Sequence, residues 1–387
     1  ARATGATHTA IEIAALLGER DLLRFTEGER NVDLRLRLDA LRTGSSGSPT
    51  AHVDAGARQR VKRAAEQLAR QLNAADDQSS TTSDIGRLLA FAYPDRIAQS
   101  RGGGGRFLLS NGRGAILPEG QALARSELLV VADIDAGERD ALIRLAAPTT
   151  REHLEIDFAS TIATRERIEW DSREQAIIAR RERCLGALVL EERRLDNPDP
   201  SQVLQALLMG IRELGLECLP WTKESRQLLN RIAFAHRHDH REPNPWPDVS
   251  ETALLEHLET WLGPWLSGIT RREQLTRLDM HGIVLGMLDW NLQQRLNAFA
   301  PTHITVPSGS CIPIDYGSDA PAVAVRLQEV FGLTTTPAIA EGRVPLTMQL
   351  LSPAHRPVQI TCDLESFWKS GYQEVKKDLK GRYPKHY

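Results

Sequence analysis

Five of the seven lysines in this 387-residue chain lie between Lys369 and Lys385. Elsewhere arginine carries almost all of the positive charge, so something in this stretch favours lysine. The stretch also holds Phe367, Trp368, Tyr372, Tyr383 and Tyr387, although aromatic residues make up only 5% of the chain. Clustered ammonium groups suit contact with RNA phosphates. Lys376, Lys377, Lys380, Arg382 and Lys385 are the candidates. An ordinary amphipathic helix, docked by Trp368 and Tyr372 with a solvated lysine face, gives the same pattern. The two readings are compatible.

The element that positions these groups is a closing helix. Asp363 is a plausible N-cap, Gly381 lies near the stop, and Pro384 lies beyond it. At about 100° per residue, Lys369, Lys376 and Lys380 fall within roughly 20° of one line. Trp368, Tyr372, Val375 and Leu379 form an apolar stripe about 90° to one side, and Glu374 and Asp378 lie nearly opposite the lysines. The expected helix is thus basic on one face and aromatic on the adjoining one.

A second group of cations accompanies a change of period after residue 96. Arg106-Phe-Leu-Leu-Ser and Ala115-Ile-Leu flank Asn111-Gly112, a strong hairpin signal because both residues tolerate positive φ. Leu128 to Asp133, Ala141 to Ala146 and His153 to Ile156 read as further strands. Many short strands with turn signals predict a small barrel. Barrels of this kind bind single strands with cations on phosphates and aromatics under bases. Arg96, Arg101, Arg106 and Arg113 flank the first strands, and Phe107 is the nearby aromatic. Surface arginines in an arginine-rich chain are the alternative. The run Gly102–Gly105 lacks the Lys-Ser/Thr of a phosphate loop and leads into a strand, so it reads as a flexible loop.

Other constellations point to structure rather than chemistry. His236-Arg-His-Asp-His240 offers imidazoles and a carboxylate, but at no recognised zinc spacing. It reads as a solvated helix end, where histidines suit the negative pole. Asp315, Asp319 and Glu329 have no fixed relation and no nucleophile pattern beside them. Cys184, Cys218, Cys311 and Cys362 are scattered without a CxxC, which fits a reducing cytosol. No catalytic residue and no metal site are expected.

Length and composition predict several domains with real cores: 387 residues, 41% apolar and 26% charged. The net charge of −3 supplies no global attraction to nucleic acid. No apolar run is long enough to span a membrane. The opening Ala1-Arg-Ala-Thr-Gly-Ala-Thr7 has neither an initiator Met nor a signal-peptide layout, and reads as cut from something longer. Residues 9–42 and 55–73 have helical periodicity. Strands are expected at 165–170, 175–183 and 185–190. Residues 201–299 are mostly helical, with the longest helix over Arg272 to Asn297. Trp290 on that helix, and Trp246, Trp261 and Trp265 before it, are expected in the core. Strands return at 303–306, 311–316, 321–327, 344–351 and 356–362. The fold class is multi-domain α+β.

The C-terminal stretch resembles the end of bacterial HrpB-type ATP-dependent DExH-box RNA helicases. The same family is resembled by Thr302-His-Ile-Thr-Val-Pro-Ser-Gly-Ser310, Asp315-Tyr316, Pro321 to Gly332, Gly342-Arg-Val-Pro345 and Leu350-Leu-Ser-Pro353. Further upstream, Ala92-Tyr-Pro-Asp-Arg-Ile97, Asn111-Gly-Arg-Gly-Ala115 and Leu285-Gly-Met-Leu-Asp-Trp290 do so too. The resemblance covers essentially the whole chain. It implies that residues 1–82 end a helical, ratchet-like bundle and that 84–150 form an OB-like β-barrel. Residues 151–195 are then the β-rich start of a C-terminal region. Residues 201–299 form a helical subdomain, and 300–387 an α/β subdomain ending in the basic helix.

One departure matters. No G-x-x-x-x-G-K-[ST] loop and no D-E-x-H sequence is present, so nothing here cradles ATP phosphates or holds Mg²⁺. The chain resembles the non-motor half of such a helicase. ATP and Mg²⁺ belong to the parent by resemblance, and no cofactor is expected in this chain. The expected partners are single-stranded RNA, motor domains in cis and other proteins, in the cytoplasm. The competing expectations are a protein-interaction module that touches no nucleic acid and, more weakly, a hydrolase built on His236–His240.

Overall fold

The computed structural model describes residues 6–26, 30–74, 84–135, 140–318 and 320–382. The chain divides into two compact units, with breaks at Arg167/Ile168, Ile178/Ala179 and Asp196/Asn197.

The first unit opens with α1 (Thr7–Gly18), β1 (Leu23–Phe25), α2 (Leu34–Thr43), β2 (Ala51–Val53), α3 (Ala55–Gln71) and α4 (Asp84–Ala92). Carboxylate caps start two of these helices. Asp33 accepts from the Arg35 N–H and Asp54 from the Ala57 N–H. Leu34, Leu38 and Leu41 give α2 a buried stripe at helical spacing.

Five strands then close a barrel: β3 (Ile97–Ser100), β4 (Arg106–Leu109), β5 (Gly114–Ile116), β6 (Leu128–Ile134) and β7 (Asp140–Thr149). The order is β3-β4-β5-β7-β6, with β6 returning to β3. Only β5 and β7 run parallel; the other neighbours are antiparallel. Ala98, Phe107, Leu109, Leu129, Val131 and Ile143 fill the interior. Ile97, Leu128 and Val130 alternate outward and pack with the helices preceding the barrel. Helix α4 lies so close to β7 that a Cβ on Gly86 would sit 2.0 Å from the Pro148 carbonyl oxygen.

The chain continues through α5 (Arg151–Asp157), β8 (Ala163–Asp171), β9 (Ala176–Leu185) and β10 (Leu188–Arg194). A helix stands where a strand was expected at His153–Ile156. Thr150 caps it by accepting from the His153 N–H, and Leu154 is its one buried residue. The strands β10-β9-β8 form a separate sheet laced with ion pairs. Glu182 is buried there and accepts from Arg165 Nε at 2.7 Å, with Arg167 Nη1 at 3.7 Å.

The second unit holds α6 (Pro200–Leu214), α7 (Lys223–His238), α8 (Glu251–Glu256), α9 (Leu258–Trp261), α10 (Met280–Leu285) and α11 (Trp290–Phe299). The long helix expected over Arg272–Asn297 is three pieces: a 3₁₀ turn over Arg272–Arg277, then α10 and α11. The reason is local. Asp279 accepts from the His281 and Gly282 N–H groups and Asp289 from the Leu292 N–H, so each aspartate starts a new helix. This break turns Trp290 outward, to 70% exposure, and Trp265 is also exposed, against expectation. Trp246 and Trp261 are buried as expected.

A five-stranded sheet follows, from β11 (His303–Thr305), β12 (Cys311–Asp315), β13 (Ala322–Arg326), β16 (Thr347–Leu351) and β17 (Pro357–Thr361) in that spatial order. The pair β13–β16 is parallel. Between them β14 (Ala338–Ile339) and β15 (Val344–Pro345) make a small hairpin. The chain ends in α12 (Leu364–Ser366), a π-helical turn over Phe367–Gly371, and α13 (Tyr372–Arg382).

The histidine tract ends α7 and is committed to packing. His236 Nδ1 lies 2.9 Å from the Trp246 carbonyl oxygen. Asp239 is buried, accepts from Trp246 Nε1 at 2.8 Å, and is paired with Arg295. Burial alone raises its pKa. The hydrogen bonds from Trp246 and the Arg241 backbone, with the Arg295 and Arg241 charges, outweigh that and hold it below the ordinary value.

Two outcomes follow from this packing. Gly86→Ala is expected to lower stability by about 1–3 kcal/mol, because a backbone carbonyl cannot yield to the new methyl; the denaturant midpoint measures it. For Asp239, a depressed folded-state pKa means stability that is full at neutral pH and lost as pH falls through the acid range. The stability gap between the wild-type chain and Asp239→Asn should therefore be widest near pH 7 and shrink on acidification. A gap that grows toward acid pH contradicts this assignment.

Candidate nucleic-acid interface

The barrel sorts its candidate residues by strand alternation. Along β4, Phe107 and Leu109 point inward while Arg106 points out. Phe107 is 1% exposed, so it is a core residue and no base can stack on it. That corrects the expectation for this ring: one position along a strand decides between core and solvent.

The arginines differ among themselves. Arg96 donates from Nη1 to the Ala132 carbonyl at 3.1 Å and lies 4.9 Å above the Tyr93 ring, so it is taken up by packing. Arg113 is exposed on the hairpin, where its backbone N–H bonds Asn111 Oδ1 at 3.0 Å and Gly112 has φ +87°. That hairpin is braced from outside, since the Ala187 N–H donates to the Ser110 carbonyl at 2.8 Å. Arg101 and Arg106 are exposed, and their guanidinium groups have no hydrogen bond or ion pair among the described residues. A backbone bond from the Arg101 N–H to the Arg106 carbonyl, 2.8 Å, sets the two at the base of the glycine loop.

All four glycines of that loop have positive φ, a conformation that L side chains rarely adopt. The loop runs into strand β4, not into a helix N-terminus. The backbone dipoles that hold a nucleotide phosphate are therefore not arranged here. Among the described residues no group of three metal-ligating side chains converges.

The second candidate surface is the closing helix. Asp363 caps it, accepting from the Ser366 N–H at 3.0 Å; that bond and the nearby Lys369 charge hold its carboxyl below the ordinary range. Leu364, Phe367 and Leu379 anchor the segment in the core. The π-helical turn, closed by the bond from the Tyr372 N–H to the Phe367 carbonyl, interrupts the regular helix. The single lysine line expected from a uniform 100° repeat is thus broken between Lys369 and Lys376. Lys369 instead donates to Glu365 at 2.6 Å, while Lys376 Nζ lies 5.8 Å from the Tyr372 ring centre. Lys377 is exposed. Lys380 and Arg382 fall within α13, but the placement of their side chains is not described, and Lys385 lies outside the described residues.

Trp368 and Tyr372 are half-buried, and a ring that the sequence reading missed joins them. Phe331 lies 5.9 Å from Trp368 and 6.1 Å from Tyr372, centre to centre, and is 45% exposed. No periodic signal marks Phe331, which follows a 3₁₀ turn over Leu327–Val330. Only the three-dimensional return of the chain reveals it. No helix among the described residues is long and apolar enough to cross a membrane.

Comparison with known proteins agrees with the resemblance. Residues 261–387 match the family described as "ATP-dependent helicase C-terminal". Residues 161–195 match "ATP-dependent RNA helicase HrpB, connector region". The ATP-dependent RNA helicase HrpB of Escherichia coli strain K12 is 43% identical over 324 residues, which is 83% of this chain and 40% of that relative. The chain therefore spans less than half the length of the curated relative it matches. The crystal structure of the E. coli DExH-box NTPase HrpB aligns at 40% identity, covering 98% of this chain and 44% of that one, with a TM-score of 0.48. That of the Escherichia coli DEAH/RHA helicase HrpB aligns at 37% identity, covering 98% and 45%, with a TM-score of 0.45. By its matching connector and C-terminal regions and its curated relative, the chain corresponds to the C-terminal part of an HrpB-type helicase.

Proposed function

We infer that this chain is the accessory part of an ATP-dependent RNA helicase and holds single-stranded RNA for motor domains in cis. The observation that carries this reading is the pair Arg101 and Arg106, exposed and without counter-ions among the described residues, in a chain whose arginines are so often paired. A guanidinium left solvated beside a barrel strand is free to exchange water for an RNA phosphate. The strand order, with its one parallel pairing, supports an OB-like reading of the barrel, and α1–α3 are then the end of the helical bundle. Small barrels of that class hold single strands in basic grooves.

The phosphate contacts on this reading are Arg101, Arg106 and Arg113 on the barrel. On the closing segment they are Lys376, Lys377, Lys380, Arg382 and Lys385. ATP and Mg²⁺ act in the motor domains, and this chain alone hydrolyses nothing. A second reading, docking of a protein partner, is favoured by Trp290, whose ring stands in solvent at the start of α11.

The test is salt-dependent binding of an unstructured RNA. Each phosphate contact on a single strand contributes about 0.7 to the slope of log affinity against log salt. The double substitution Arg101→Glu/Arg106→Glu should weaken binding and flatten that slope by about 1.4. An unchanged slope removes the barrel from the interface, and absence of any RNA binding removes the reading as a whole.

A further inference from the structure

Phe331, Trp368 and Tyr372 form an aromatic ledge that core packing alone does not explain. Leu327 and Val330, just before Phe331, are buried, yet the Phe331 ring emerges into solvent. The Trp368 indole N–H donates to the Leu333 carbonyl at 2.7 Å, which fixes the ring and satisfies its one polar group. Trp368 and Tyr372 are 5.2 Å apart, edge to face. Two shallow grooves meet at this ledge. One, of about 380 Å³, is lined by Phe331, Leu333, Trp368, Lys369 and Tyr372. The other, of about 230 Å³, adds Arg326, Leu351 and Lys376. Glu365 also lines the first groove, where its charge is answered by Lys369.

The π-helical turn makes this arrangement possible. Its extra residue lets Phe367 stay buried while Trp368 and Tyr372 both reach Phe331. Turns of this type cost regular hydrogen bonding and recur at functional sites.

We propose that Phe331, Trp368 and Tyr372 are a stacking platform for unpaired bases of single-stranded RNA, with Lys376 and Lys377 beside it for the backbone. The occupant is identified by charge and shape together. Apolar ring faces accept the flat face of any base, and the Lys376 ammonium lining the second groove matches the phosphates that accompany it. A duplex hides its base faces and is refused. This inference rests on the reading that the chain holds RNA, but it assigns base contact to a place where that reading needs only phosphate contact.

The experiment uses the whole chain with a fluorescently labelled oligouridylate, an abasic strand of equal length and charge, and a duplex RNA. The wild type is expected to bind the oligouridylate at least about fivefold more tightly than the abasic strand. Phe331→Ala and Phe331→Leu should both abolish that preference while leaving the salt slope unchanged. The leucine variant keeps an apolar side chain at the site, so its effect reports stacking and not loss of packing. If both variants retain the full preference for bases, the platform is overturned although RNA is held. If the variants lose affinity for the oligouridylate and the abasic strand in equal measure, the ledge is only structural and the proposal fails. If no strand binds the wild type, the underlying reading fails with it, and a protein partner for the ledge is the remaining outcome.

Discussion

Strand β6 is buried on both faces, and that constraint decides what the first unit can offer a ligand. Leu129 and Val131 fill the barrel; Leu128 and Val130 pack against the helical layer. Ile97 of β3 and Ala147 of β7 join β6 in packing against the helices, and α4 approaches β7 closely enough that only glycine fits at position 86. The outer wall along β3 and β6 is thereby closed to ligands. What stays open is the loop between β3 and β4 and the start of β4, where Arg101 and Arg106 stand in solvent. The basic groups available for function are those that the packing cannot use.

The second unit solves a different problem. Its helices α10 and α11 are short because aspartates restart the chain, at Asp279 and again at Asp289. Arg231, buried on α7, closes the end of α11 by donating to the Ala300 carbonyl at 2.7 Å and to Asn297 Oδ1 at 2.8 Å. A cation at a helix C-terminus meets the negative end of the dipole, so this buried charge needs no carboxylate. The closing segment is held by Leu364, Phe367 and Leu379, and its surface is left for the aromatic ledge.

Much of this was legible in the sequence where the signal is local. The Asn111-Gly112 turn, the α2 leucine stripe and the Asp363 cap rest on contacts within a few residues, and the strands of the final sheet on short β-branched and apolar runs; all appear. The errors share a cause. Phe107 was expected outside because β4 shows three apolar residues in succession, and alternation there has no unique phase until β5 and β3 pair with it. Trp290 was expected inside because the aspartate before it was read as a helical residue, whereas it acts as a cap. His153–Ile156 has strand-forming residues, but Thr150 captures the His153 N–H and turns the chain into a helix. Phe331 was invisible because its partners lie some forty residues on, brought back only by β16, β17 and the π turn.

The preference for lysine at the end of the chain has a physical account once the ledge is in view. A guanidinium is planar, weakly hydrated and stacks on aromatic faces; an ammonium is compact and strongly hydrated. Arginines at positions 369 and 376 would lie flat on Trp368, Tyr372 or Phe331 and cover the rings, as Arg96 covers Tyr93 and Arg295 approaches Trp246 in the same chain. Lysine supplies the same charge on a compact head that covers less of a ring: Lys376 Nζ stands over Tyr372, 5.8 Å from its centre, and the Phe331 ring is left open to solvent. Arginine suits the rest of the molecule because there it is asked to form bidentate pairs and to cap carbonyls. At the ledge it is the wrong cation, since a surface meant to receive another planar group must keep its own rings bare.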